Sequence, residues 1–152
     1  LAAYDLQPAQ LELEITESAV IDSMEETVAA LQKLRSLGVK VSLDDFGTGY
    51  SSLSYLHQLP IDTIKIDKSF FRDIVANQRA RDMLAGIVYL ARKLGLNVVT
   101  EGIENKEQVA YIRGIDCDFA QGYYYKKPMP ADETEEFCAR WSEAPLSGEV
   151  TS

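Results

Sequence analysis

The stretch Val39-Lys-Val-Ser-Leu-Asp-Asp-Phe-Gly-Thr-Gly-Tyr-Ser-Ser-Leu53 decides how this chain is read. Val39, Val41 and Leu43 alternate with Lys40, Ser42 and Asp44, which is the two-residue period of a β-strand. The alternation stops at two adjacent acids, and Gly47 and Gly49 then punctuate a loop that leads into a helix-like run. Two carboxylates at the end of a strand are costly unless something neutralises them, and a divalent cation is the usual answer. Asp45 should face away from Asp44 unless the chain turns there. The two glycines make such a turn easy, because they accept φ > 0 without a Cβ clash. A turn or helix-capping aspartate is the lesser alternative for Asp45. Gly47-Thr-Gly49 lacks the lysine and the spacing of a Walker loop.

Outward from this strand, strand-like and helix-like segments alternate, which predicts an α/β fold with parallel strands. Leu11-Glu-Leu-Glu-Ile-Thr16 alternates apolar and polar residues. Ser23-Met-Glu-Glu26 reads as a capping box, opening a helix with Val28, Leu31, Leu34 and Leu37 inward and Gly38 as its stop. Ile61–Asp67 is a third strand. A long helix is expected from Asn77 to Leu94, with Met83, Leu84, Ile87, Ala91 and Leu94 inward and Gly95 closing it. Asn97–Glu101 is the fourth strand, and Asn105-Lys-Glu-Gln108 a second capping box for a helix to about Ile112. Cys117–Tyr125 completes the strands and Asp132–Trp141 the helices. There is no low-complexity segment and no short internal repeat beyond this alternation.

Phase tests which polar residues can share a site, because successive strand side chains face opposite sides. With the apolar faces packed on helices, Glu14, Asp44, Lys65 and Glu101 all point the other way, each near the carboxyl end of its strand. In a parallel α/β barrel that is the interior at the catalytic rim. An open sheet with one wet face is the alternative, although parallel sheets are normally covered on both sides.

The 152 residues are 46% hydrophobic, enough for one core and no case for two domains. Residues 1–142 are expected to form one unit and residues 143–152 a flexible tail. A formal net charge of −9 disfavours DNA, RNA and anionic lipid, so a phosphate ligand needs a local cation. Cys117 and Cys138 are too few for a disulfide framework or a zinc site and suit a reducing compartment. His57 is the only histidine, which excludes an imidazole-rich metal centre; it falls in a short helix-like stretch before Pro60, as a surface or helix-end residue. No apolar run is long enough to span a bilayer. These features suit a cytoplasmic domain, whether or not a parent protein is anchored in a membrane.

The motifs resemble those of the EAL domain, the bacterial module that hydrolyses cyclic di-GMP to linear pGpG. The matching runs are Glu14-Ile-Thr-Glu17, Asp44-Asp-Phe-Gly-Thr-Gly-Tyr-Ser-Ser-Leu53, Lys65-Ile-Asp-Lys-Ser-Phe70, Glu101-Gly-Ile-Glu104 and Gln121-Gly-Tyr-Tyr-Tyr-Lys-Lys-Pro-Met-Pro130, in the family's order. The resemblance implies a TIM-like barrel carrying two Mg2+ or Mn2+ ions at its strand ends. It implies that Glu14 is a metal ligand, that Asp44 bridges the two ions and that Asp45 binds the second. Lys65 would hold the attacking water or a phosphate oxygen, Glu101 would act as general base or water-positioning carboxylate, and Gln121 would orient the site. Glu17 and Glu104 resemble the acids that hold the Asp44–Leu53 loop. Homodimerisation, and a sensory or diguanylate cyclase domain upstream, are also implied.

The chemistry agrees with these roles. Two cations roughly 3.5–4 Å apart lower a water's pKa and clamp the attacking and leaving oxygens, and hard carboxylates select magnesium or manganese. The resemblance is incomplete, because the family's Glu-Ala-Leu strand and its asparagine ligand do not occur in these residues. About five βα units are legible where a full barrel has eight, so the chain is expected to be the carboxyl-terminal portion of such a domain. By itself it is expected to be unstable, or to be completed by missing residues or another chain, and to have little or no activity. A non-catalytic EAL module that binds cyclic di-GMP or a protein partner is the alternative function. An aldolase-like barrel with Lys65 as a Schiff-base amine is a third.

Overall fold

The structure is a computed structural model, and it describes residues 1–47, 53–72 and 74–143. The predicted alternation is present. The strands are β1 (Glu12–Thr16), β2 (Lys40–Phe46), β3 (Thr63–Ile66), β4 (Asn97–Thr100) and β5 (Phe119–Ala120). The helices are α1 (Glu17–Asp22), α2 (Met24–Ser36), α3 (Leu53–Leu56), α4 (Gln78–Lys93), α5 (Lys106–Gly114) and α6 (Ala131–Glu143). All strands are parallel and lie in chain order β1-β2-β3-β4-β5. Among the described residues β1 and β5 each pair on one side only, so the sheet is an open arc.

The phase of the strands places the core. Val41, Leu43, Ile64, Ile66 and Val98 are fully buried and pack with Val20 of α1, Leu31 of α2, Leu84, Val88 and Ala91 of α4 and Ile112 of α5. Each of the Val, Leu and Ile side chains contributes roughly 1.5–3 kcal/mol relative to exposure. The opposite face is not wet in the middle of the arc, because Ser42, Thr63 and Lys65 are buried there too.

Several local expectations change. Ser23 does not cap α2 with its hydroxyl, because it is shared between α1 and α2 and its φ −152°, ψ 65° is not the extended backbone of a cap. Asn105 does form its capping box with Gln108. Both α2 and α4 end in Schellman geometry, with Gly38 N–H on Arg35 O and Val39 N–H on Leu34 O, then Gly95 N–H on Arg92 O and Leu96 N–H on Ala91 O. Leu37, Met83 and Leu94, expected inward, are exposed, while Val88 is buried in α4. The fifth strand shrinks to Phe119–Ala120, since Gly122 turns the chain and Tyr125 and Lys126 donate to its carbonyl.

A repeat emerges that the sequence pattern hid. At one constant spacing, Arg35, Gly38, Asp44, Asp45 and Phe46 correspond to Arg92, Gly95, Glu101, Gly102 and Ile103. Asp45 and Gly102 both have positive φ, 56° and 68°, and Phe46 and Ile103 are both buried. Each unit carries an Arg–Asp clamp at the amino end of the sheet. Asp62 accepts from Val41 N–H at 2.9 Å and from Arg35 Nη2 at 3.0 Å. Asp118 accepts from Val98 N–H at 2.9 Å and from Arg92 Nη1 at 3.1 Å. The clamps lock neighbouring strands in register, and with it the residues at the far end.

Candidate active site

Lys65 extends from β3 on the face opposite Ile64 and Ile66, and its side chain is 10% exposed. Its Nζ lies 2.7 Å from Glu14 Oε1, 2.9 Å from Glu101 Oε1 and 3.1 Å from Asp44 Oδ1. Residues from β1, β2, β3 and the residue after β4 thus meet at one point, as strand phase predicts. Burial by itself pushes the ammonium pKa down, but the close carboxylates of Glu14, Glu101 and Asp44 outweigh it and hold the pKa above the ordinary lysine value. Lys65 is therefore a permanent cation at neutral pH. A Schiff-base lysine needs the reverse shift, which argues against the aldolase alternative.

Asp44 Oδ1 is buried, and no described donor is aligned to hydrogen-bond it, although the Lys65 charge is near. A buried anionic oxygen in that state suits a cation, and the carboxylates around it are the hard donors that magnesium and manganese take. Among the described residues no three His, Cys, Asp or Glu side chains already form a metal cage. The Lys65 ammonium stands between Glu14, Asp44 and Glu101 instead. The donor chemistry fits a hard divalent ion.

The backbone turns at Asp45 by a route that differs from the one expected. Leu43 pairs with Ile64 and Phe46 with Ile66, so β2 carries one extra residue between these pairs. That is a β-bulge, and Asp45 takes the left-handed backbone within it, at φ 56°. Aspartate tolerates this conformation better than most residues. The bend begins at Asp45 itself rather than at the glycines, and Gly47 continues it at φ 96°.

The supporting residues fare unequally. Glu17 opens α1 and is 2% exposed; its Oε2 accepts from Gly47 N–H at 3.1 Å and its Oε1 from Tyr55 O–H at 2.6 Å. Glu104 is exposed, and its backbone N–H donates to Gln108 Oε1. The loop assigned to Glu104 includes residues 48–52, which lie outside the described residues. Gln121 has an exposed side chain, while its backbone extends the ladder to Thr100 O and Ile103 N–H. His57 is exposed, in a turn after α3.

Sequence reasoning did not single out Tyr55, or the contacts that join the rim loops. A Cβ on Gly47 would fall 2.1 Å from the Phe70 ring, so the end of β2 rests directly on the turn after β3. A Cβ on Gly122 would fall 2.1 Å from Ile103 O, so the loops after β4 and β5 meet backbone to backbone. The glycines of the motifs were the available signal.

The EAL domain family model matches residues 1–128. The chain belongs to the EAL family. It is 48% identical over 127 residues to the cyclic di-GMP phosphodiesterase NbdA of Pseudomonas aeruginosa, covering 84% of this chain and 16% of that protein. The solved MucR phosphodiesterase in complex with cyclic di-GMP superposes with a TM-score of 0.82 at 37% identity, over 88% of this chain and 54% of that one. Klebsiella pneumoniae BlrP1, solved with manganese and cyclic di-GMP, gives 0.80 at 35% identity, over 84% of this chain and 33% of that one. The chain thus spans about a sixth of the curated NbdA. Its five-stranded sheet with flanking helices is an incomplete barrel of the kind found in its EAL neighbours. Among the described residues, no helix of this EAL chain is long and apolar enough to cross a membrane.

Proposed function

We propose that the domain containing this chain is a metal-dependent phosphodiesterase that hydrolyses cyclic di-GMP to linear pGpG. The convergence of Glu14, Asp44 and Glu101 on Lys65, at the strand ends of an EAL chain, carries this reading. Glu14, Asp44 and Asp45 are the residues that would hold Mg2+ or Mn2+. When bound, such ions make a coordinated water more acidic and relieve charge on phosphoryl oxygens.

The chain's own groups do the rest. Glu101 takes a proton from the attacking water as its oxygen bonds to phosphorus and the bond from phosphorus to the 3′ oxygen breaks. The leaving 3′ oxygen takes a proton from solvent and ends as a hydroxyl. Lys65, locked as a cation, holds a phosphoryl oxygen or the water in line and offsets charge that grows in the transition state. Gln121 orients the substrate side of the rim, and Glu17 and Glu104 steady the segment that follows Asp45. Neither the Glu-Ala-Leu glutamate nor the asparagine ligand is among these residues, so the chain by itself holds part of the ligand set and has little activity. A homodimer and an upstream sensory or cyclase domain belong to the same proposal.

A hydrolysis assay on the intact protein with Mg2+ or Mn2+, alongside Glu101→Ala, tests it. We expect pGpG from the wild type and a loss of at least about 100-fold in the variant. Tight binding of cyclic di-GMP without turnover would overturn the enzyme reading in favour of a receptor.

A further inference from the structure

Tyr55 O–H donates to Glu17 Oε1 at 2.6 Å, and both residues are buried. The same carboxylate accepts from Gly47 N–H through Oε2 at 3.1 Å. Glu17 follows β1, the strand that carries Glu14, and Thr16 stands in register with Asp44. Gly47 follows the bulge that contains Asp45, and Tyr55 lies in α3, beyond residues 48–52. One carboxylate therefore ties β1 to the end of β2 and to α3.

We propose that Tyr55 is a positioning residue for Asp44 and Asp45, acting through Glu17. A charge-assisted O–H···O bond is short and directional, so it sets the rotation of the carboxylate plane. That rotation aims Oε2 at Gly47 N–H. Asp45 holds a positive φ of 56°, a strained backbone for a non-glycine residue that persists only where its surroundings hold it, and Gly47 continues the turn at 96° without strain. The Glu17–Gly47 bond and the Phe70 ring against Gly47 are two such holds, and Tyr55 governs the first. Burial, and then the Glu17 carboxylate, push the phenol pKa above its ordinary value, so the group remains a donor at neutral pH. Without the phenol, Glu17 loses the bond that fixes the plane of its carboxylate, and its hold on Gly47 N–H loosens.

The inference rests on the phosphodiesterase reading for its consequence but is measured apart from it. Tyr55→Phe keeps the ring and removes only the hydroxyl. In the intact protein without substrate, Mn2+ binding followed by electron paramagnetic resonance should weaken about tenfold in Tyr55→Phe. Turnover at limiting Mn2+ should fall in step and recover as Mn2+ is raised. Hydrogen exchange at Gly47 N–H should accelerate while exchange in β3 does not. On a Glu17→Ala background, Tyr55→Phe should add nothing, because both changes break one device. Unchanged Mn2+ affinity, additive effects, or a wild type that takes up no Mn2+ would overturn the proposal. Tyr55-dependent Mn2+ binding without hydrolysis of cyclic di-GMP would overturn the phosphodiesterase reading and support the role of Tyr55.

Discussion

Lys65 Nζ lies 2.9 Å from Glu101 Oε1, so the two side chains proposed for the chemistry neutralise each other. The same ammonium holds Glu14 and Asp44, and three carboxylates would repel one another without it. Lys65→Met should therefore destabilise the intact protein by about 2 kcal/mol in the presence of a chelator, the exposed Glu14 contact adding little. Mn2+ should restore more stability to the variant than it adds to the wild type. Urea unfolding with chelator and with Mn2+ measures both, and an equal Mn2+ effect in the two proteins would count against a shared cation site.

Alkaline stability gives a second check. In the folded chain burial lowers the Lys65 pKa, but the close carboxylates of Glu14, Glu101 and Asp44 more than reverse this and leave it raised. The stabilisation is then complete below the unfolded lysine pKa, about 10.4. It is lost as pH rises from there through the folded value, because the unfolded chain releases its proton first. Tyr55, also raised, contributes a loss of the same sign above its ordinary value. Each group adds a slope of up to about 1.4 kcal/mol per pH unit. Urea titrations from neutral to strongly alkaline pH should show one slope removed in Lys65→Met and the other in Tyr55→Phe.

Gly122→Ala is expected to be severe despite its size. The added methyl meets the Ile103 backbone at 2.1 Å, and backbone cannot rotate aside as a side chain would. A cost of about 3 kcal/mol follows, the upper range for overpacking. Gln121 should shift with it. The unfolding midpoint measures the cost, and an Ala variant within about 0.5 kcal/mol of the wild type would contradict the contact.

Asp118→Ala separates stability from chemistry. It removes the acceptor of Val98 N–H and the partner of Arg92, both far from the carboxylate rim. The half-exposed Arg92 matters little, so most of the expected loss, about 2 kcal/mol, is the unsatisfied Val98 N–H. Turnover per folded molecule should be unchanged at low temperature. A large fall in turnover with an intact fold would mean that the clamp governs the site directly.

Strand phase carried most of the site, because a strand side chain has only two directions and Glu14, Asp44, Lys65 and Glu101 share one. The helix ends at Gly38 and Gly95 were equally legible, since a Schellman motif is local. Met83, Leu37 and Leu94 were misplaced because helical periodicity marks an apolar stripe without saying how much of it the sheet can cover. The clamps of Asp62 and Asp118 bring together residues remote in the chain, and two ordinary aspartates gave no local sign of them.

The opening stretch shows the division most clearly. From the sequence alone, Asp44 belongs on the face of Glu14, Lys65 and Glu101, because alternation along a strand is a covalent property of the backbone. Only tertiary structure decided where Asp45 goes. Its bulge exists because β2 must pair with β3 through Leu43 and again through Phe46 with one residue to spare. Only tertiary structure, too, made Lys65 the meeting point of three carboxylates and gave Glu17 its partners Gly47 and Tyr55. Those contacts depend on register between strands and on the packing of loops, which no single segment encodes.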